Sequence, residues 1–276
     1  MKFKRLGNTD LEVAAVGMGT WGIGGFSSRI TSADRHQAEA LRHGIELGMT
    51  HIDTAESYGA GHSEEVVGEA VRGVRDRVFI ATKVSPEHFH YDDVIKAADR
   101  SLRRLEVSYI DLYQLHWPSP RIPIEETMRA MEHLLQNGKI RFIGVSNFSV
   151  NQLREAQEAL SQAEIVSNQV EYSLMNREVE RELLPYCQKE KITIIAYSPL
   201  ARGELLSGRS KQILHEVSTK YGRTPAQVAI NWLISKSNVV AIPKAATIEH
   251  LEENAGASRW GISNDDANLL DRSFPP

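Results

Sequence analysis

The sequence predicts an α/β protein folded as a (β/α)8 TIM barrel, with a β-hairpin ahead of the barrel and a short helix after it. Eight short apolar runs alternate with longer segments of helical periodicity. Strands that alternate with helices pair in parallel through right-handed crossovers. Eight such units in 276 residues fit one barrel. We therefore expect residues 1–276 to form a single domain.

The predicted strands are nearly continuous apolar runs, as expected for a parallel sheet that is covered on both faces. These runs are residues 16–20, 50–53, 78–83, 109–115, 140–146, 165–170, 192–197 and 239–242. Ahead of them, the segment "FKRLGNTDLEVA" has a Gly7-Asn8 turn between two short alternating runs. It predicts a hairpin that plugs one end of the barrel.

Helices are predicted between these runs. Residues 92–106 carry one apolar stripe and begin with two aspartates, which favour a helix N-terminus. Residues 123–137 begin with a proline and are followed by a glycine, the usual asymmetry of a helix. A Thr-Pro pair opens a helix over 225–236, and the tail 263–276 predicts one more short helix.

Composition excludes several classes of function. The net charge is −4 and no basic run is present, which argues against a nucleic-acid partner. With no long uncharged apolar run and no basic-then-apolar leader, we expect neither a membrane span nor export. Cys187 is the single cysteine, which suits the cytoplasm, and its helical surroundings predict a structural role. The ten histidines do not cluster with metal-ligand spacing, so no metal site is expected.

The segment "GMGTWG" matches the glycine spacing of a dinucleotide-binding fingerprint at Gly17, Gly19 and Gly22. That fingerprint requires a helix that starts in the same loop. Here the loop runs on, and the next helix does not begin until about Ala33. We interpret these glycines as part of a loop that passes close to a ligand at the barrel mouth.

Polar or chemically capable side chains stand at the carboxyl end of every predicted strand, where TIM barrels place their active sites. These ends are Thr20-Trp21, Asp53, Lys83, His116-Trp117, Ser146-Asn147, Gln169, Tyr197-Ser198 and Pro243-Lys244. Tyr58 lies in the loop just after Asp53.

Four of these residues suit proton delivery to a carbonyl oxygen. Asp53 can pair with Lys83 and hold it cationic, and an ammonium beside Tyr58 lowers the pKa of the phenol. An imidazole such as His116 can orient a carbonyl by hydrogen bonding. Since none of these side chains can donate a hydride, a nicotinamide cofactor is implied.

In their motifs, these residues resemble the aldo-keto reductase family over nearly the whole chain. The four residues stand in "HIDTAESYG", "VFIATKV" and "DLYQLHWP". The segments "GKIRFIGVSNFS", "NQVEYSL", "IAYSPLARGEL" and "VVAIPKAATIEHLEEN" look like the family's cofactor segments. The resemblance implies an NAD(P)H-dependent reductase of aldehydes and ketones. In it, Tyr58 would be the general acid, Lys83 paired with Asp53 would tune that acid, and His116 would orient the carbonyl.

The resemblance also implies the residues that contact the cofactor. In chain order they are Gly19, Thr20, Trp21, Asp53, Ser146, Asn147, Gln169, Tyr197, Ser198, Pro199, Leu200, Arg202, Gly203, Lys244, Ala245, His250, Glu253 and Asn254. Ser146, Asn147 and Gln169 would hold the nicotinamide carboxamide, and Tyr197 would stack on the nicotinamide ring. The loop 198–203 would cross the pyrophosphate. Lys244 would face the 2′-phosphate or ribose hydroxyls, and the last two residues the adenine.

The same resemblance places Trp21 and Trp117 as walls of the substrate pocket, beside Tyr58 and His116. The long C-terminal loop of some members is absent, which predicts an open pocket and broad acceptance of aldehydes. The sequence does not identify the physiological substrate or set the oligomeric state, for which we favour a monomer.

Two departures from the family pattern concern the choice of cofactor. NADP-type members usually carry a serine directly after the lysine and an arginine six positions beyond it; here those residues are Ala245 and His250. Arginine grips phosphate with a planar fork of donors, whereas histidine is mostly neutral at pH 7. We therefore expect NADP(H) to be used and NAD(H) to be accepted as well.

Two alternative functions are compatible with parts of this sequence. Potassium-channel β subunits share the fold and the four residues, so a cofactor-binding interaction module remains an alternative. A barrel glycosidase would use paired carboxylates such as Asp53 and Glu56. That second interpretation leaves Lys83, Tyr58 and Tyr197 without roles.

Overall fold

Eight parallel strands form the centre of the fold in a computed structural model, which describes residues 1–244 and 246–276. The strands are β3 (Met18–Gly19), β4 (His51–Asp53), β5 (Phe79–Val84), β6 (Ile110–Leu115), β7 (Ile140–Ser146), β8 (Ile165–Glu171), β9 (Thr193–Tyr197) and β10 (Val239–Ala241). Neighbours in the sheet follow chain order from β3 to β10. Every predicted strand is therefore present, with bounds close to those expected.

Contacts between the first and last strands close this sheet into a barrel. Parallel bridges join Val16 to Ala241 and Gly19 to Lys244. The Gly17 amide donates to the Ala241 carbonyl at 2.8 Å, and the Ala241 amide donates to Ala15 at 2.9 Å. The predicted (β/α)8 fold is confirmed.

Ten helices occur in the described residues, eight of them between successive barrel strands and two after the last strand. They are α1 (Asp34–Glu46), α2 (His62–Val71), α3 (Tyr91–Leu105), α4 (Ile124–Gln136), α5 (Val150–Glu158), α6 (Leu183–Lys189), α7 (Gly208–Tyr221), α8 (Pro225–Ser235), α9 (Ile248–Gly256) and α10 (Asn264–Ser273). The predicted helices 92–106, 123–137 and 225–236 match α3, α4 and α8 within one residue at each end. No helix in the described ranges has the length and apolarity needed to cross a membrane.

The predicted hairpin consists of antiparallel strands β1 (Phe3–Arg5) and β2 (Glu12–Ala14). Leu6 and Val13 are buried in an apolar cluster with inward-facing residues of the barrel strands. The Gly7 amide donates to Thr193 Oγ1 at 2.7 Å, and Lys4 Nζ donates to the Val239 carbonyl at 2.8 Å. Thr193 begins β9 and Val239 begins β10, so the hairpin caps the end of the barrel opposite the carboxyl ends of the strands.

Cys187 lies in α6 and is fully buried. Burial raises the pKa of its thiol to about 12. Because the thiolate is the reactive form of cysteine, this residue is chemically inert at neutral pH.

His51 gives the barrel an acid-sensitive point. It is fully buried two residues before Asp53, and neither ring nitrogen has a hydrogen-bond partner among the described residues. Burial lowers its pKa from 6.5 to about 4. Above pH 6.5 the imidazole is neutral in both the folded and the unfolded protein. Between about pH 6.5 and pH 4 only the unfolded chain takes up a proton. Stability is therefore lost as the pH falls from about 6.5 to about 4.

We expect this residue to cost about 2 kcal/mol of folding free energy at pH 5 relative to pH 7. In His51→Leu, the difference in urea-unfolding free energy between pH 7 and pH 5 should be smaller by about that amount. His215→Leu, on the exposed face of α7, is the control. Equal pH dependence in wild type and His51→Leu would contradict the assignment.

Candidate active site

Lys83 and Asp53 form a buried ion pair at the carboxyl ends of β5 and β4. Lys83 Nζ lies 2.5 Å from Asp53 Oδ1, and it also donates to the Thr54 carbonyl at 2.9 Å. Asp53 is in register with Ala81, so Lys83 stands one pleat further along the neighbouring strand on the same inward face. Burial opposes the charge of Lys83, but Asp53 and Tyr58 outweigh it and hold the ammonium pKa above its usual value. Lys83 is thus a fixed cation.

The second oxygen of Asp53 is held by two amides. Gln169 Nε2 donates to Asp53 Oδ2 at 2.7 Å, and Gln114 Nε2 donates to the same oxygen at 3.3 Å. Gln114 was not predicted as a site residue. The sequence feature that could have indicated it is a polar side chain inside the apolar run of β6. In the structure Gln114 is in register with Lys83. Both carboxylate oxygens are therefore occupied, and Asp53 cannot turn toward a substrate.

Tyr58 begins a tight turn, Tyr58–Gly61, in which Gly59 and Ala60 adopt left-handed backbone angles. This turn brings Tyr58 Oη to 3.4 Å from Lys83 Nζ. Burial raises the pKa of Tyr58, and the Lys83 ammonium offsets only part of that rise. The expectation of a lowered pKa was wrong for the net effect, because burial outweighs the neighbouring charge. The phenol therefore keeps its proton at neutral pH and is able to donate it.

His116 lies beside Tyr58, with ring centroids 5.7 Å apart at an interplanar angle of 71°. Burial, together with the nearby Lys83 charge, lowers its pKa to about 3. Asn147 Nδ2 donates to the His116 carbonyl at 3.2 Å and fixes this part of the backbone. A neutral imidazole can donate one hydrogen bond to a carbonyl oxygen, but it is not an acid at neutral pH.

A chain of polar groups continues around the barrel mouth from β7 to β9. Ser146 Oγ donates to the Gln169 carbonyl at 2.9 Å, and Asn147 Nδ2 donates to Ser146 Oγ at 3.0 Å. Tyr197 Oη donates to Asn147 Oδ1 at 3.0 Å. Asn147 has a positive φ of 64°, which asparagine tolerates better than most residues. The structure thus brings these four predicted residues into contact.

The loop after β9 is conformationally strained. Ser198, Ala201 and Arg202 have positive φ angles of 48–54°, and Gly203 has a φ of 98°. Left-handed backbone in residues other than glycine costs free energy and concentrates at ligand-binding segments. The loop holds the predicted residues 198–200, 202 and 203, among them Pro199 and Leu200.

Lys244 follows β10 and lies in the predicted cofactor region, where the last strand of the barrel meets the first. Its backbone pairs with Gly19, and its carbonyl accepts a hydrogen bond from Asn254 Nδ2 at 3.3 Å. His250 lies in the first turn of α9, where its amide donates to Thr247 Oγ1 at 3.4 Å.

The remaining predicted cofactor residues are placed as follows. The Glu253 carbonyl accepts from Gln227 Nε2 at 3.0 Å. Thr20 is buried, and its hydroxyl accepts from Ser63 Oγ at 2.9 Å. Ala245, which was also predicted, lies outside the described residues.

Three exposed aromatic residues surround the mouth. Trp21 and Trp117 are 50% and 49% exposed, and Trp117 stacks on His116 with centroids 6.4 Å apart. Phe26 is 52% exposed and packs edge-on against Trp21 at 4.9 Å. Phe26 was not predicted, although an isolated aromatic in "GGFSS" was a usable signal.

Glu56 points away from this site. Its Oε1 accepts from the Ser85 amide and contacts His88 Nδ1, both at 2.8 Å, while Oε2 lies 3.5 Å from Arg100. Both oxygens of Asp53 are occupied by the ion pair with Lys83 and the hydrogen bonds from the two glutamines. The pair of carboxylates that a glycosidase requires is therefore not assembled, which disfavours that alternative.

Asp, Tyr, Lys and His side chains assembled at the carboxyl end of a (β/α)8 barrel define a class of carbonyl-reducing enzymes. Residues 15–273 match the model of the aldo/keto reductase family. The chain belongs to that family, as its sequence motifs implied.

Several characterised proteins are similar to this chain. Methylglyoxal reductase YeaE of Escherichia coli is 42% identical over 268 residues, covering 96% of this chain and 93% of the relative. Glyoxal reductase of Bacillus subtilis is 37% identical, covering 84% and 82%. The crystal structure of an aldo/keto reductase from Klebsiella pneumoniae, in complex with NADP and acetate, superposes with a TM-score of 0.92 at 41% identity, covering 100% and 96%. The thermostable aldo-keto reductase Tm1743, in complex with epalrestat, gives a TM-score of 0.95 at 47% identity, covering 99% of both chains.

Proposed function

We propose that this protein reduces aldehydes and ketones to alcohols with NADPH, and that Tyr58 donates the proton. The observation that carries the proposal is a protonated phenol 3.4 Å from a fixed ammonium, next to a neutral imidazole, at the open end of the barrel. The similar methylglyoxal and glyoxal reductases and the NADP complex of the Klebsiella protein support the same reaction class.

The residues present fit a nicotinamide dinucleotide. The strained loop 198–203 is typical of a segment that binds a ligand. The ammonium of Lys244 lies over the ring of Phe26, and no carboxylate of the described residues forms an ion pair with it, which leaves it available to an anion. A nicotinamide bound here would supply the hydride. Ser146, Asn147 and Gln169 would hold its carboxamide, and Tyr197 would pack on its ring.

The protein's own groups then handle the carbonyl and the proton. The neutral imidazole of His116 donates a hydrogen bond to the carbonyl oxygen and orients it. Tyr58 Oη gives its proton to that oxygen as negative charge develops there. Lys83 stabilises the phenolate that remains, and Asp53 keeps Lys83 charged and in place.

The direct test is an assay of nicotinamide absorbance with NADPH and a panel of carbonyl compounds. The panel should contain methylglyoxal, glyoxal, an aromatic aldehyde and a bulky ketone. We expect turnover of several aldehydes, because the aromatic residues of the mouth are half exposed. Activity on a single bulky ketone would contradict an open pocket, and no turnover of any compound would contradict the proposed reaction.

The assay also separates the enzyme from an interaction module of the same fold. A module would bind NADPH, measured by fluorescence titration, without consuming it at a catalytic rate. The similar proteins named above are reductases, which favours turnover.

His250→Arg should raise the preference for NADPH. An arginine at this position would add a charged fork of donors toward the 2′-phosphate that we assign to Lys244. We expect the ratio of kcat/KM for NADPH to that for NADH to rise about tenfold. His215→Arg adds a guanidinium on α7 and serves as the control. An unchanged ratio in His250→Arg would show that residue 250 does not face the 2′-phosphate of the cofactor.

We further propose that residues 1–276 work as one domain, in the cytoplasm and as a monomer. The hairpin supports a single unit, because it is anchored to β9 and β10 at the far end of the sequence. The single buried cysteine suits a reducing compartment. Light scattering on the purified protein would establish the oligomeric state.

A further inference from the structure

Phe26 lies between the residues proposed for the cofactor phosphate and those proposed for the substrate. Its ring packs edge-on against Trp21, with centroids 4.9 Å apart at 69°. The ammonium of Lys244 lies 5.2 Å from the centroid of the same ring. One half-exposed side chain thus contacts both a wall of the carbonyl pocket and the lysine assigned to the 2′-phosphate.

The backbone around Phe26 is fixed to the turn of the catalytic tyrosine. The Gly59 amide, next to Tyr58, donates to the Phe26 carbonyl at 2.8 Å. A Cβ atom on Gly59 would lie 2.6 Å from the Gly24 carbonyl oxygen, so the two segments touch with no space for a side chain. The Gly24 amide is held in turn by Gln37 Oε1 at 3.0 Å. The backbone position of Phe26 is therefore set by contacts that a substitution of its side chain would leave in place.

The contact between Lys244 and Phe26 is one that a phosphate can displace. A cation over a half-exposed aromatic ring is held weakly, whereas a charge-assisted hydrogen bond to phosphate is stronger. A ribose hydroxyl in place of the phosphate offers no such charge. A 2′-phosphate should therefore draw the ammonium off the ring, and a 2′-hydroxyl should leave it there.

We propose that Phe26 is a positioning residue that couples the 2′-position of the cofactor to the substrate wall. It supports Trp21 at the carbonyl pocket, and it competes with the 2′-phosphate for Lys244. The environment of Trp21 then depends on whether the bound dinucleotide carries that phosphate. This inference rests on the proposed function and on the assignment of Lys244 to the 2′-phosphate.

The test is Phe26→Leu, measured first by cofactor binding. Titration with NADP+ and NAD+ should show about threefold tighter binding of NADP+, because the competing ring is gone, and unchanged binding of NAD+. In wild type, saturating NADP+ and NAD+ should give different tryptophan emission, and that difference should vanish in both Phe26→Leu and Trp21→Phe. An equal change in both dissociation constants would overturn the proposal, because Phe26 would then act on a part common to both cofactors.

The second measurement concerns the substrate. Phe26→Leu should raise KM for an aromatic aldehyde severalfold, because Trp21 loses the ring that packs against it. The kcat for methylglyoxal should stay unchanged, because the groups that transfer the proton are not altered. The control is Phe3→Leu, which alters a phenylalanine of similar exposure in the hairpin. If Phe26→Leu behaves like Phe3→Leu in every measurement, the proposal is wrong.

The wild-type protein keeps this result separate from the proposed function. Binding and turnover of NADPH by wild type, with no effect of Phe26→Leu, would overturn only the coupling. Absence of NADPH binding by wild type would overturn both.

Discussion

Tyr58→Phe is expected to reduce kcat for carbonyl reduction by about 10²- to 10⁴-fold, the usual contribution of a positioned general acid. Phenylalanine keeps the ring and removes only the hydroxyl that lies beside Lys83. The neighbouring imidazole cannot replace it, because the pKa of His116 is lowered to about 3. At neutral pH the ring is uncharged, and its one remaining N–H can donate a hydrogen bond but is too weakly acidic to be transferred.

Binding should survive this substitution. A fluorescence titration of Tyr58→Phe with NADPH should give a dissociation constant close to that of wild type, because the cofactor residues proposed above lie on other strands. Tyr186→Phe removes a hydroxyl from α6 and should leave turnover unchanged. Near-normal turnover by Tyr58→Phe would exclude the phenol as the acid.

Because burial raises the pKa of Tyr58, the acid form persists through neutral pH. The wild-type kcat for reduction should stay level around neutrality and decline only in alkaline solution, where the phenol loses its proton. Loss of activity between pH 6 and 8 would show that another group is the acid.

Asp53→Asn should be the most destabilising single change at the site, costing about 3–5 kcal/mol of unfolding free energy. Lys83 is completely buried and would keep its charge without a partner, or lose its proton. Either outcome is costly, and either removes the fixed cation that stabilises the tyrosinate. Urea unfolding and kcat measured on the same preparation should therefore fall together.

The double variant Asp53→Asn with Lys83→Met separates stability from chemistry. Removing both charges of a buried pair is often close to neutral for folding, so the double variant should unfold at a higher urea concentration than Asp53→Asn alone. Its turnover should remain low, because no ammonium is left beside Tyr58. If the double variant lost as much stability as Asp53→Asn and Lys83→Met lose together when measured separately, the two charges would not interact.

The sequence predicted the frame of the site because the information was local. An apolar run ending in a polar side chain marks a strand end, and the alternation of strands with helices brings such ends to one mouth. Asp53, Lys83 and His116 were found in this way, and Tyr58 through the short loop that follows Asp53. The family motifs then supplied roles that spacing alone could not.

Quantities that depend on tertiary packing were not predictable. The direction in which the pKa of Tyr58 shifts depends on how deeply the phenol is buried. That burial comes from residues distant in the sequence and cannot be predicted from the residues next to Tyr58. Gln114 was missed because it lies within a strand and contacts Asp53 only once β4 and β6 have both paired with β5. The contact of Phe26 with Lys244 joins residues more than 200 positions apart, across the barrel seam.

The seam between β3 and β10 has a consequence for the order of events during synthesis. Residues 1–19 leave the ribosome long before their partners at Thr193, Val239 and Ala241, which lie more than 170 positions further along the chain. Until those partners are available, the hairpin cannot pack against the end of the barrel, and one edge of β3 has no neighbouring strand. Docking of the hairpin and first strand onto the last strands is thus a late step of folding, and the mouth that holds Tyr58 becomes complete only when it has happened.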